Sequence, residues 1–184
     1  MSWVLANLPT IAGHLLAHLL QAVPAIIASF VLAIPIARLA RVARPLRAVL
    51  VTGSSLLYAV PSLALFVILP IILATGIRDP LNVIVALTLY GLALLVPATA
   101  DALDAVDARV LDAATAMGMG RLRCFLTVEL PLAGPAILTG LRVVTVSTIS
   151  LTTVGAVLGV RSLGWLFTDG FQRGITAEIV TGLA

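Results

Sequence analysis

The chain contains no lysine, and all 11 of its basic residues are arginine. This fits the compositional excess of Ala, Val and Leu and points to no site. Charge of either sign is scarce: 10% of residues, against roughly 25% in a soluble domain. With 61% hydrophobic residues and a mean hydropathy of +1.18, this excludes an ordinary soluble domain. The single cysteine, Cys124, excludes an intrachain disulfide. No basic residue precedes Arg38, so no cleaved signal with a positive leading region is expected. There is no GxxxxGK[ST] phosphate loop, and "GMGRLR" has Arg123 where a dinucleotide fingerprint needs its third glycine. No Ser/His, Cys/His or paired-carboxylate set is placed for catalysis. His14 and His18 stand four apart, but Leu15 replaces the glutamate of a metalloprotease helix, so a structural role is expected and no metal.

What is present is a series of apolar runs, each long enough to cross a bilayer, which takes about 20 residues. The first expected span covers 14–38. Arg38, Arg41, Arg44 and Arg47 follow with no acid among them, which places this loop in the cytoplasm and the N-terminus outside. The uncharged stretch 48–77 would make a helix of about 45 Å against a hydrocarbon core of about 30 Å. A break is therefore expected at Pro61, within a span over 48–75, and a second at Pro70. "GIRDP" (76–80) reads as an external turn. A third span over 80–100 returns inward, and a fourth, over 130–159, opens on Leu130 and Pro131. The arginines agree: 38, 41, 44, 47, 109, 121 and 123 fall inside, 78, 161 and 173 outside, and Arg142 within a span.

The exception to this apolar pattern is "LDAATAMGMGRLRCFLTVELP" (111–131). Val106, Val110, Ala113, Ala114 and Met117 recur at helical spacing. Asp104, Asp107 and Asp112 come early and Arg121 and Arg123 late, as the helix dipole favours. Gly118 and Gly120 end or bend the helix. A cytoplasmic helix over about 104–122 is expected, with a small-residue face that suits either close docking of another protein or packing on its own chain.

The same stretch resembles the cytoplasmic "EAA" loop of ABC-importer permeases: Glu-Ala-Ala, three residues, Gly, nine residues, then Ile-x-Leu-Pro. Here Asp112-Ala113-Ala114 is followed by Gly118 and by Val128-Glu129-Leu130-Pro131 at the same spacing, with Asp for Glu and Val for Ile. "AIPIARLAR" (33–41), "VPSLALFVILPII" (60–72), the stretch 112–146 and "LGW" at 163–165 are similar to permeases of the glycine betaine/choline/carnitine osmoprotectant importers. The resemblance covers about 14–184 as one permease domain.

It implies an all-α integral membrane protein, a bundle of about five transmembrane helices with a cytoplasmic coupling helix. The last helix is expected to be partial, over 175–184, because the family continues beyond this point. It further implies a multi-pass subunit of the inner or plasma membrane, paired with a second permease as a homo- or heterodimer. Cytoplasmic ABC ATPase subunits would power it and hold the ATP, an extracytoplasmic binding protein would deliver the solute, and no nucleic acid would be involved. This chain would itself be no enzyme and hold no cofactor.

Asp112, Ala113, Ala114, Gly118 and Met119 are expected to dock the ATPase, and Leu130 and Pro131 to fix the exit into the next span. Pathway or gate roles fall to Pro61 and Ser62, whose broken helix frees carbonyls at membrane depth, to Arg142 as an intramembrane charge, and to Gly164. A cation repels a quaternary ammonium, so Arg142 is not assigned as a ligand. A related importer permease for methionine or another small solute would carry the same coupling helix, and a truncated, non-transporting scaffold would carry the same spans.

Overall fold

A computed structural model of the chain describes residues 2–41 and 44–183. Among these the chain is all-helical, with no strand. After a turn at Ser2–Ala6, the helices are α1 (Leu8–Ala40), α2 (Pro45–Tyr58), α3 (Ser62–Leu73) and α4 (Pro80–Asp104). They are followed by α5 (Ala108–Ala116), α6 (Arg121–Leu158), α7 (Gly164–Arg173) and α8 (Thr176–Leu183). Three of them, α1, α4 and α6, are long and apolar enough to cross a membrane, and α2 with α3 makes a fourth if the broken pair is one span. The last expected helix appears as α8, which forms a short hairpin with α7. Arg44, one of the four arginines of the first loop, lies where no side chain is described.

The breaks follow local chemistry. Pro61 takes an extended ψ of 129° and caps α3. Pro70 causes no break: it sits inside α3, in the last turn, and the helix runs on to Leu73. Pro70 still withholds the one amide that would bond the Phe66 carbonyl, and the helix tolerates that single loss; the Pro70 carbonyl itself accepts the Thr75 amide at 3.1 Å. In the 76–80 turn, buried Asn82 donates to the Gly76 carbonyl at 2.8 Å and shares a 2.6 Å bond with the Thr75 hydroxyl. Asp79 accepts the Leu81 amide at 2.9 Å, with Pro80 as the first residue of α4. In α6 the turn Phe125–Glu129 is π-helical, the Leu130 amide reaching back to Phe125. Pro131 has no N–H for a regular bond and crowds the turn before it, and the wider turn relieves that crowding.

The chain folds as two compact units. The described residues of Met1–Ala28, Val60–Leu89 and Val146–Ala184 form one. Its core holds Ala25, Phe66, Leu69, Val83, Ala86, Leu87 and Val160. In it the backbones of α6 and α7 nearly touch: a Cβ on Gly164 would lie 2.1 Å from the Thr153 carbonyl oxygen. Gly164→Ala is expected to lower stability by about 1–3 kcal/mol through overpacking. Thermal unfolding in detergent would show this, and an unchanged midpoint would refute the contact.

The second unit is Ser29–Ala59 with Tyr90–Thr145. Ala33, Leu95, Val96 and Val144 form one of its clusters, and Ala37, Ala100, Leu103, Phe125, Ala133 and Ile137 another. Here α1 meets α4 at Gly91, where a Cβ would stand 2.6 Å from the Ser29 Cβ.

Candidate functional site

The coupling segment lies in the second unit. Its helix is shorter than the 104–122 expected, because Asp101 and Asp104 belong to the end of α4 and Asp107 caps α5. The Asp107 carboxylate accepts the Arg109 amide at 2.9 Å and pairs with the Arg109 guanidinium at 2.8 Å. The side-chain bond from Arg109, and then its backbone bond, hold the Asp107 carboxyl below the usual carboxylate range.

The capping contribution is therefore complete above an ordinary Asp value of about 3.9 and is lost as pH falls through the lower folded value. Amide exchange at Val110 and Leu111 should keep its protection from pH 7 to about 4 and lose it below. Asp107→Asn, which still caps, should flatten that dependence. Persistence of the pH dependence in the variant would exclude Asp107 as its source.

At its other end α5 closes on Gly118, at φ +84°. The Met119 amide bonds the Ala114 carbonyl at 3.2 Å and the Gly118 amide bonds that of Thr115 at 2.9 Å. This is the left-handed glycine cap of a helix C-terminus. A Cβ at Gly118 would meet no atom within 4 Å, so glycine is required there by conformation rather than by crowding within the chain.

The docking residues named from sequence divide by face. Asp112, Ala113 and Gly118 are exposed, as are Val110 and Met117. Ala114 is buried, while half-buried Leu111 and Met119 line, with Thr115, a cavity of about 370 Å³ between α5 and the chain's own arginines. The outward face sets the small Ala113 and Gly118 among larger exposed side chains, and the inward face packs at home.

Sequence reasoning missed what holds this helix in place. Arg41, just past the end of α1, reaches both flanks of the segment. Its Nε lies 3.0 Å from the Asp104 carboxylate ahead of α5, and its Nη1 pairs with Glu129 beyond it. Arg47 pairs with the same Asp104 and, at 3.6 Å, with Asp101. The Arg38 guanidinium stands 4.1 Å above the Phe125 ring, a cation–π contact. Glu129 is the signal that could have revealed the clamp. It is the one carboxylate between Asp112 and Asp169, placed where an apolar run begins, and such a charge needs a partner.

Leu130 packs on the cluster containing Phe125 and Ile137, and Pro131 is exposed. The four pathway residues stand on different elements. Exposed Pro61 and half-buried Ser62 stand at the start of α3, Gly164 at the α6–α7 contact, and Arg142 on an exposed face of α6.

With this geometry in view, the model of the family described as "binding-protein-dependent transport system inner membrane component" matches residues 25–184. The chain belongs to this family. It is a multi-pass membrane protein with the all-α fold of an ABC-importer permease.

A Helicobacter pylori ergothioneine transport permease/binding protein is 35% identical over 136 residues, covering 74% of this chain and 24% of that protein. A Bacillus subtilis glycine betaine/carnitine/choline transport permease is 28% identical over 153 residues, 83% of this chain and 66% of that one. This chain thus matches less than two thirds of the length of either relative. Among solved structures, an inward-facing methionine ABC transporter is matched with a TM-score of 0.81 at 20% identity, over 94% of this chain and 86% of that one. An amino acid ABC transporter is matched at 0.76 and 17% identity, over 98% and 85%. At these identities the two structures speak for the fold alone.

Proposed function

We propose that this chain is the permease subunit of an ATP-driven, binding-protein-dependent importer for small quaternary ammonium solutes such as glycine betaine, choline or carnitine. The observation that carries the coupling role is the outward face of α5. Asp112, Ala113 and Gly118 are exposed and small, on a helix capped at both ends and clamped at both flanks. Such a helix transmits a push as a rigid body, and small side chains let a partner's surface come close.

The partner is a cytoplasmic ATPase pair, which holds the ATP; this chain hydrolyses none and needs no cofactor. A second permease completes the path and an external binding protein loads it. The arginine distribution supports a cytoplasmic α5 and an outside N-terminus in the plasma membrane. The named substrates of the sequence relatives, glycine betaine, carnitine, choline and ergothioneine, share an N-methylated quaternary nitrogen, which supports this substrate class.

The test is uptake of radiolabelled glycine betaine and choline in a host without its own importers, with this chain co-expressed with an ATPase and a binding protein encoded beside it. ATP-dependent uptake that falls about tenfold or more in Ala113→Trp is expected, a loss of about 1.4 kcal/mol of coupling. Unimpaired uptake in that variant would remove α5 from the coupling role. Uptake of methionine alone would replace the substrate class.

A further inference from the structure

We propose that Arg78 and Arg161, seated around Gly159 beside the stacked rings of His14 and Trp165, form a carboxylate-binding site. All lie in the first unit. Arg78 is in the turn before α4 and Arg161 in the turn before α7. Both line a cavity of about 470 Å³ together with Thr10, His14, Gly159 and Trp165. Small-molecule sites fall in the range of roughly 300–1,000 Å³.

Three features show that the site is built. Gly159 has φ +80°, and a Cβ there would stand 3.0 Å from the Arg78 Nε. The Arg78 guanidinium thus rests against bare backbone that any side chain would fill. Buried Gln21 fixes the other arginine's loop, its Nε2 donating to the Arg161 carbonyl at 2.7 Å and to that of Ala17 at 2.8 Å. The His14 and Trp165 rings stack at 4.8 Å with an interplanar angle of 8°, which sets the cavity wall.

The charge at this place is unbalanced. Among the described residues no carboxylate pairs with Arg78 or Arg161, and Asp169 is held by Arg173 at 3.0 Å. His14, 5% exposed and lining the cavity, leaves Nδ1 without a hydrogen-bond partner. Two arginines lining one cavity, with no carboxylate paired to either, match a planar carboxylate. That group can belong to a zwitterionic solute or to an acidic side chain of the binding protein. The second source rests on the orientation proposed above and the first does not.

Trp3 and Trp165 are the only tryptophans, so Trp3→Phe leaves Trp165 as a single reporter. The full-length permease, reconstituted alone in lipid vesicles so that no other protein contributes tryptophan emission, is titrated with acetate, glycine betaine and choline chloride. Acetate and glycine betaine should shift Trp165 emission saturably and choline should not. Arg78→Gln with Arg161→Gln, both on exposed turns, should weaken the response about tenfold or more. A second arm measures affinity for the binding protein. If the small carboxylates are silent but that affinity falls about tenfold in the double variant, the site takes a protein carboxylate. An equal response to choline, or no change in either arm, overturns the proposal. The readout is binding, so failure of solute uptake leaves it standing.

Discussion

Arg41→Gln is expected to remove the clamp on both flanks of α5 and to cost about 2 kcal/mol. Breaking a fully buried ion pair from one side costs about 3–5 kcal/mol, because the remaining charge is left without a partner. The Arg41 and Glu129 side chains are 29% and 12% exposed, so the penalty falls below that range. A shift of about 2 kcal/mol is about 30-fold in the fraction of molecules that hold the helix in place. Uptake and ATPase stimulation should fall together, while membrane insertion stays intact.

The double variant Arg41→Gln/Glu129→Gln separates a clamp from simple damage. With no charge left unpaired it should recover part of the stability lost in Arg41→Gln, an interaction visible in a double-mutant cycle. Strict additivity would mean that Arg41 and Glu129 act independently. Salt sorts the remaining pairs. Arg47 with Asp101 and Asp104 is more exposed, and screening at high ionic strength should weaken it before the Arg41–Glu129 contact.

The clamp also marks where the sequence stopped being readable. The break at Pro61 and the motif answer to local rules and are legible: Pro61 ends a helix by its own backbone, and the spacing from Asp112 to Pro131 is a matter of counting. Asp104 had no such rule. As a carboxylate near the start of a polar helix it suited the dipole of α5, yet it sits at the end of α4, where the dipole opposes it. Arg41 and Arg47 outweigh that cost from far along the chain. Pro70 is the opposite case: the local rule gives a cost, one lost bond to the preceding turn, but not whether the surrounding helix absorbs it. The division of α5 into faces was equally hidden. Ala113 and Ala114 are adjacent and alike, and only the packing of α5 on its own unit makes one exposed and the other buried.

That division changes what a substitution at Gly118 can prove. A bulky residue there does not test docking alone, because the backbone at φ +84° would be strained by it with no partner present. Valine in the left-handed region costs about 1–3 kcal/mol, while asparagine tolerates it. Gly118→Val should therefore unwind the cap, weaken the Met119–Ala114 bond and cut uptake about tenfold or more at about 1.4 kcal/mol per decade. Gly118→Asn should keep most of the activity. Ala113→Trp supplies the docking half of the test, since a helical position with an open outer face accepts the ring without strain. Activity in Gly118→Asn with its loss in Ala113→Trp assigns conformation to Gly118 and contact to Ala113. Were Gly118→Asn as inactive as Gly118→Val, the missing side chain itself would be what the partner reads. The left-handed cap would then be a consequence of the glycine and not the reason for it.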